Sequence, residues 1–83
     1  MLMTHTLKHP ITIDGSEVTK LSLRRPTVRD IKLSQRKANE IDQTIEMVAM
    51  LSEQKPDTIE SLDAEDFTAI ANELGKLMGG EAS

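Results

Sequence analysis

The side chains in this sequence with the most chemistry in them are two histidines and one acidic run. His5 and His9 stand four apart, and Asp63, Glu65 and Asp66 lie close together near the other end. Imidazole nitrogens and carboxylate oxygens are ordinary metal ligands, and neighbouring carboxylates can share acid–base work. The spacing argues against both uses. On an extended strand, residues four apart share a side but lie about 13 Å apart along the chain, too far to grip one ion, and no third ligand accompanies them. The acidic run opens a helical pattern, where carboxylates cap free backbone N–H groups and meet the positive end of the helix dipole. The chain has no cysteine, which removes disulfides and thiolate sites. None of GxxxxGK[ST], GxGxxG or GxSxG occurs. The expectation is a non-enzymatic protein with no catalytic residues, cofactor or metal.

Charge is the second chemical feature. Residues 1–37 hold eight Lys/Arg against three Asp/Glu, a net of +5, and residues 38–83 hold two against eleven, a net of −9, which together give −4. Arg24, Arg25, Arg29, Lys32 and Arg36 concentrate the positive charge; on a helix, positions 29, 32 and 36 share one face. That stripe has three readings. It is a solvated face or pairs with the acidic half of this or another copy; it meets an acidic partner; or it holds nucleic-acid phosphates. The net negative charge and the single aromatic residue, Phe67, argue against the last.

These residues need elements to position them. "ITIDGSEV" contains a hairpin signal, because Asp14-Gly15 between apolar neighbours tolerates the positive φ of a tight turn. Strands are expected at about 4–13 and 17–24. Pro10 suits an edge or a strand start. Val18 and Leu21 have opposite parity, which a bulge near Thr19-Lys20 would reconcile. Pro26 ends the strand, Thr27 can cap a helix, and Asp30 completes a capping box. The helix is expected to run through Val28, Ile31 and Ala38, with a break between Ser34 and Asn39 in the polar stretch "KLSQRKANE". Ile41, Ile45, Val48 and Ala49 then form one helical face. Pro56 ends that helix, and Asp57 to Leu62 makes a single turn. In the last helix Asp63 is the cap, Asp66 completes a box, and Leu62 staples onto Phe67. Phe67, Ile70, Ala71, Leu74, Leu77 and Met78 repeat at helical spacing, Gly79-Gly80 stops the helix, and 80–83 fray. The fold class is α+β in one small domain over 1–83: an N-terminal β-hairpin, about 4–24, followed by two or three α-helices over about 27–79.

A chain of 83 residues buries only about 60% of its unfolded surface, so a stabilising partner or self-association is expected. No run of about 18 apolar residues is present to span a membrane. The opening "MLMTHTLKHP" lacks the pattern of a secretion signal, so the cytoplasm is the expected setting.

The helix at 41–53 has a wider apolar arc than one core contact needs. Ile41, Ile45, Val48 and Ala49 span about 100°, and Met47 and Leu51 extend this to about 200°, with Met50 beyond. A surface helix needs a stripe of only about 100°. Two readings stay open: Met47, Met50 and Leu51 offer an adaptable partner surface, as methionine side chains do elsewhere, or the helix is buried between hairpin and last helix.

"HPITIDGSEVTKLSLRRPTVRDI" followed by "IESLDAEDFTAIANELGKLM" resembles the tail assembly chaperones of Mu-like and P2-like phages, the phage tail protein E family. The resemblance runs over about residues 7 to 78; the middle, 32–55, agrees only in general character. It implies a chaperone that coats the long helical tape measure protein before the tail tube polymerises, recruits tail tube subunits, works in the host cytoplasm and is absent from the mature virion. Many members of that family are made in two forms, the longer by ribosomal frameshift, and this chain fits the short form; self-association is expected from the small core and the opposed charges of the two halves. On this reading the corner from Arg24 to Asp30 lays the hairpin across the helices with its basic residues facing a neighbour. The rivals are a small DNA-binding regulator using the basic face and a structural tail component retained in the virion.

Overall fold

The Asp14-Gly15 turn closes the hairpin as the sequence predicts. Both residues take positive φ, 52° and 80°, which is what a type I′ turn between twisted strands requires. A computed structural model describes residues 2–77; Met78, the Gly79-Gly80 stop and the tail after it lie outside the described residues. Strand β1 (Leu2–Ile13) pairs antiparallel with β2 (Ser16–Arg24). Next to the turn, Ile13 faces Ser16 and Ile11 faces Val18; farther out, Thr6 faces Lys20 and Leu2 faces Arg24.

Between these two runs the register slips. Four residues of β1, Leu7 to Pro10, stand opposite the single residue Thr19 of β2. The slip does bring Val18 onto the same packed side as Leu21 and Leu23, but the extra residues lie in β1 and not near Thr19-Lys20. The cause is where the backbone donors go. Pro10 has no N–H for the ladder, and the N–H groups of Lys8 and His9 turn away to the Asp66 carboxylate.

Four helices follow. Helix α1 (Val28–Ser34) starts at Thr27 with the capping box formed by Asp30. The chain then breaks over residues 35–39, and α2 (Glu40–Ser52) starts afresh under Asn39, whose side chain accepts the Asp42 N–H at 2.8 Å. Glu53, at φ 59°, turns the chain out of α2. Pro56 occupies the first turn of the short α3 (Pro56–Glu60), where its missing N–H costs nothing. Helix α4 (Ala64–Leu77) begins under Asp63, which accepts the Glu65 N–H at 3.2 Å.

The core is aliphatic. Leu7, Leu21 and Leu23 of the hairpin meet Val48 and Leu51 of α2, Ile59 and Leu62 around α3, and Ile70 and Leu74 of α4. Phe67 packs at the margin of the same cluster as Leu62. Helix α2 lies on β2 and α4 on β1, and α2 also touches α1, α3 and α4. Among the described residues no helix is long and apolar enough to cross a membrane.

Candidate interaction surfaces

The slip in β1 assembles the chain's main polar cluster. Asp66 is 1% exposed, and each of its oxygens accepts one backbone N–H, from Lys8 and from His9, both at 2.9 Å. His5 lies on the inner side, its Nε2 3.5 Å from Asp66 Oδ1. That is close enough for attraction, but the geometry makes no hydrogen bond, and Nε2 is buried with no such partner among the described residues. On the outer side His9 Nε2 is 3.0 Å from Glu65 Oε1 and 3.7 Å from Asp63 Oδ2, and Lys8 donates to Glu65 Oε2 at 3.1 Å.

The acidic run and the histidines, far apart in sequence, thus form one clasp between hairpin and α4. Asp66 does not reach back to box the helix start; the hairpin takes it. The ligand atoms of His9, Asp63 and Glu65 lie within 4.8 Å of one another. As a cation site the trio is poor, because Lys8 already holds Glu65, all three side chains are exposed, and the positive end of α4 lies beneath. Its geometry suits holding the bulge down. The signal that could have located it is Pro10, whose missing donor marks where the ladder stops.

The second polar joint is the corner. Arg24 grips Asp30 with two nitrogens, at 2.6 and 3.0 Å, and Asp30 also accepts the Thr27 N–H at 2.8 Å and its hydroxyl at 3.0 Å. Such a two-pronged pair fixes direction as well as charge. Arg24 therefore locks β2 to α1 inside the chain and does not belong to an outward basic patch. Arg25, Arg29, Lys32 and Arg36 do remain exposed, and make no ion pair among the described residues.

Both joints are pH-sensitive. The Arg24 guanidinium, against the opposing effect of burial and helped by Thr27, holds Asp30 far below the ordinary carboxylate value of 3.8. Burial pushes Asp66 up, but the Lys8 and His9 N–H groups, with His5 nearby, outweigh it and hold Asp66 below 3.8. Hydrogen bonding to Glu65, then the charge of Asp63, raises His9 above 6.5. A carboxylate depressed on folding stabilises above its unfolded value and loses that contribution as pH falls toward its folded one. A raised histidine stabilises below its unfolded value and loses that contribution as pH rises through its folded one. The midpoint of urea unfolding is accordingly expected to drop steeply as pH falls through and below 3.8, the ordinary value of Asp30. Asp30→Asn should make that drop shallower, and a drop of unchanged slope would show that the corner contributes nothing to it.

Of the two readings of the apolar candidates, Met47 and Leu51 follow burial. Met47 is 5% and Leu51 1% exposed, both within the core, while Met50 is half-buried. The wide apolar arc of α2 has a plain cause: this helix touches the hairpin and all three other helices, so it buries more than one stripe. The large apolar side chains that do face solvent are Val28, 81% exposed, and Ile41, 61% exposed, the second of them expected on the apolar face of its helix. Val28 stands at the start of α1 beside Arg25 and Arg29. Ile41 borders a shallow groove of about 210 Å³ floored by Ile45, Ile59, Leu62 and Phe67, with Glu60 on its rim.

Comparison with known proteins places the whole arrangement. The family model described as phage tail assembly chaperone proteins, E, or 41 or 14, matches residues 4–79, from the first strand through the last helix. No curated protein and no solved structure matches the chain.

Proposed function

As this chain belongs to the phage tail assembly chaperone family, we propose that it binds the tape measure protein, keeps it soluble, and helps bring tail tube subunits to it during tail assembly. The carrying observation is the family match, which takes in both the clasp and the corner. On this reading the protein works by binding, without catalysis, in the host cytoplasm. Several copies cover one client, together with a frameshifted longer form where one is made, and all leave before the virion is complete.

Co-expression tests the reading. The tape measure protein produced with this chain should stay in the soluble fraction and co-purify with it; produced alone, it should sediment. Equal solubility in both cases, with no complex recovered, would refute the reading. Mass spectrometry of purified virions should find the tube protein and not this chain. Finding it there in tube-like amounts would make it a retained structural component.

A further inference from the structure

We propose that copies of this chain join head to tail, with Val28 of one copy seated in the Ile41 groove of the next. The purpose rests on the coating role just described; the two surfaces are argued from the chain alone.

The parts are complementary in shape and charge. Val28 is an exposed apolar knob among basic residues: Lys32 shares its helix face one turn on, and Arg25 and Arg29 stand close to it in the chain. The groove is apolar in its floor and acidic at its edge. Glu60 and Ile45 line both this groove and the adjoining hollow, where Asp42 and Glu46 lie. Lys37 is the cation there, 4.0 Å from Glu46. A basic-flanked knob meeting an acidic-rimmed groove satisfies both apolar and charged groups, and the opposite sign would repel.

Their placement dictates head-to-tail joining. Ile31, Ser34 and Gln35 line one hollow with Gln43, Thr44 and Met47, and Gln43 donates to the Lys37 carbonyl at 3.1 Å. The C-terminal end of α1 and the turn after it therefore lie against the first half of α2, and Val28 stands at the opposite end of α1. Ile41 is in the first turn of α2, and the length of helix from there to its end is about 17 Å. A copy cannot fill its own groove with its own knob. Joining two copies leaves one knob and one groove unfilled, so the contact repeats until a ring closes or a filament grows. One side chain per groove makes a modest interface, and its charged share should weaken when salt shortens the Debye length from about 10 Å at 0.1 M to about 3 Å at 1 M.

The test is sedimentation velocity of the purified chain without client. The wild type should grow in mass with concentration, less so in high salt. Val28→Glu and Ile41→Glu should each stay at monomer mass; both positions are exposed, so circular dichroism should show the fold intact. A 1:1 mixture should double in mass and stop there, because the intact groove of the first variant takes the intact knob of the second while the two glutamates repel. Association of either variant alone, a mixture that stays monomeric, or a monomeric wild type at every concentration would overturn the proposal. Client capture in co-expression is read separately. A monomeric wild type whose capture is lost in Ile41→Glu alone would assign the groove to the client and overturn the contact between copies. Normal association without client capture would instead sink the coating role and leave this contact standing.

Discussion

Asp66→Ala is expected to cost the chain much of its stability. The carboxylate is buried and accepts two backbone N–H groups from the β1 bulge. Hydrogen bonds to a charged partner contribute roughly 1.5–3 kcal/mol each, so losing both removes about 3–6 kcal/mol. The total available to a chain this size, at roughly 0.05–0.15 kcal/mol per residue, is about 4–12 kcal/mol. Urea unfolding followed by circular dichroism measures the loss. Hydrogen exchange locates it, since the Lys8 and His9 amides should lose protection before those of α2. Asp66→Asn keeps the shape and one acceptor oxygen but turns an NH₂ donor toward the other N–H, so it should fall between wild type and alanine. A loss under about 1 kcal/mol in the alanine variant would mean that water replaces the carboxylate freely and that the clasp is ornamental.

Leu51→Glu should unfold the chain. Leu51 is 1% exposed and sits on the helix that touches β2 and all three other helices. A carboxylate there has no partner among aliphatic neighbours, and burying an unpaired charge costs several kcal/mol after all relaxation. The milder Leu51→Ala removes volume only and should cost about 2–5 kcal/mol. The sequence left Leu51 and Met47 open between burial and a partner surface, where charge would harm binding more than folding. Their burial reverses that order, so loss of client capture in Leu51→Glu would report unfolding. Half-buried Met50 can still separate the two effects. A folded Leu51→Glu variant with a wild-type melting temperature would show that α2 is far less enclosed than it stands here.

What the sequence made legible was local. The Asp14-Gly15 turn, the Thr27–Asp30 box, the break after Ser34 and the cap at Asp63 each follow from a few neighbouring residues obeying backbone rules, and each is found in place. The irregular β1–β2 register was legible as a parity conflict but was assigned to the wrong strand. Its position depends on Asp66, more than fifty residues away, which no local pattern reports. The same distance hid the pairing of His9 with Glu65. Arg24 looked like one of five equivalent cations; only the fold shows that it faces Asp30 while the other four face outward. The two readings of α2 stayed open for a related reason. A wide apolar arc is the same in sequence whether a helix has several neighbours in its own chain or one in another molecule. Ile41 fits the helical repeat of its face, yet it sits in the first turn of α2 and stands 61% exposed, which periodicity alone does not report.

The clasp joins Lys8 to Asp66, 58 positions apart, and this has a consequence during synthesis. At the ribosome the hairpin emerges first and must wait, its two bulge amides facing water, until the start of α4 has cleared the exit tunnel. Closing so long a loop is slower than forming the turn or the helices themselves, so docking of the hairpin should come late in folding. A nascent chain halted before Asp66 would hold a hairpin that cannot dock.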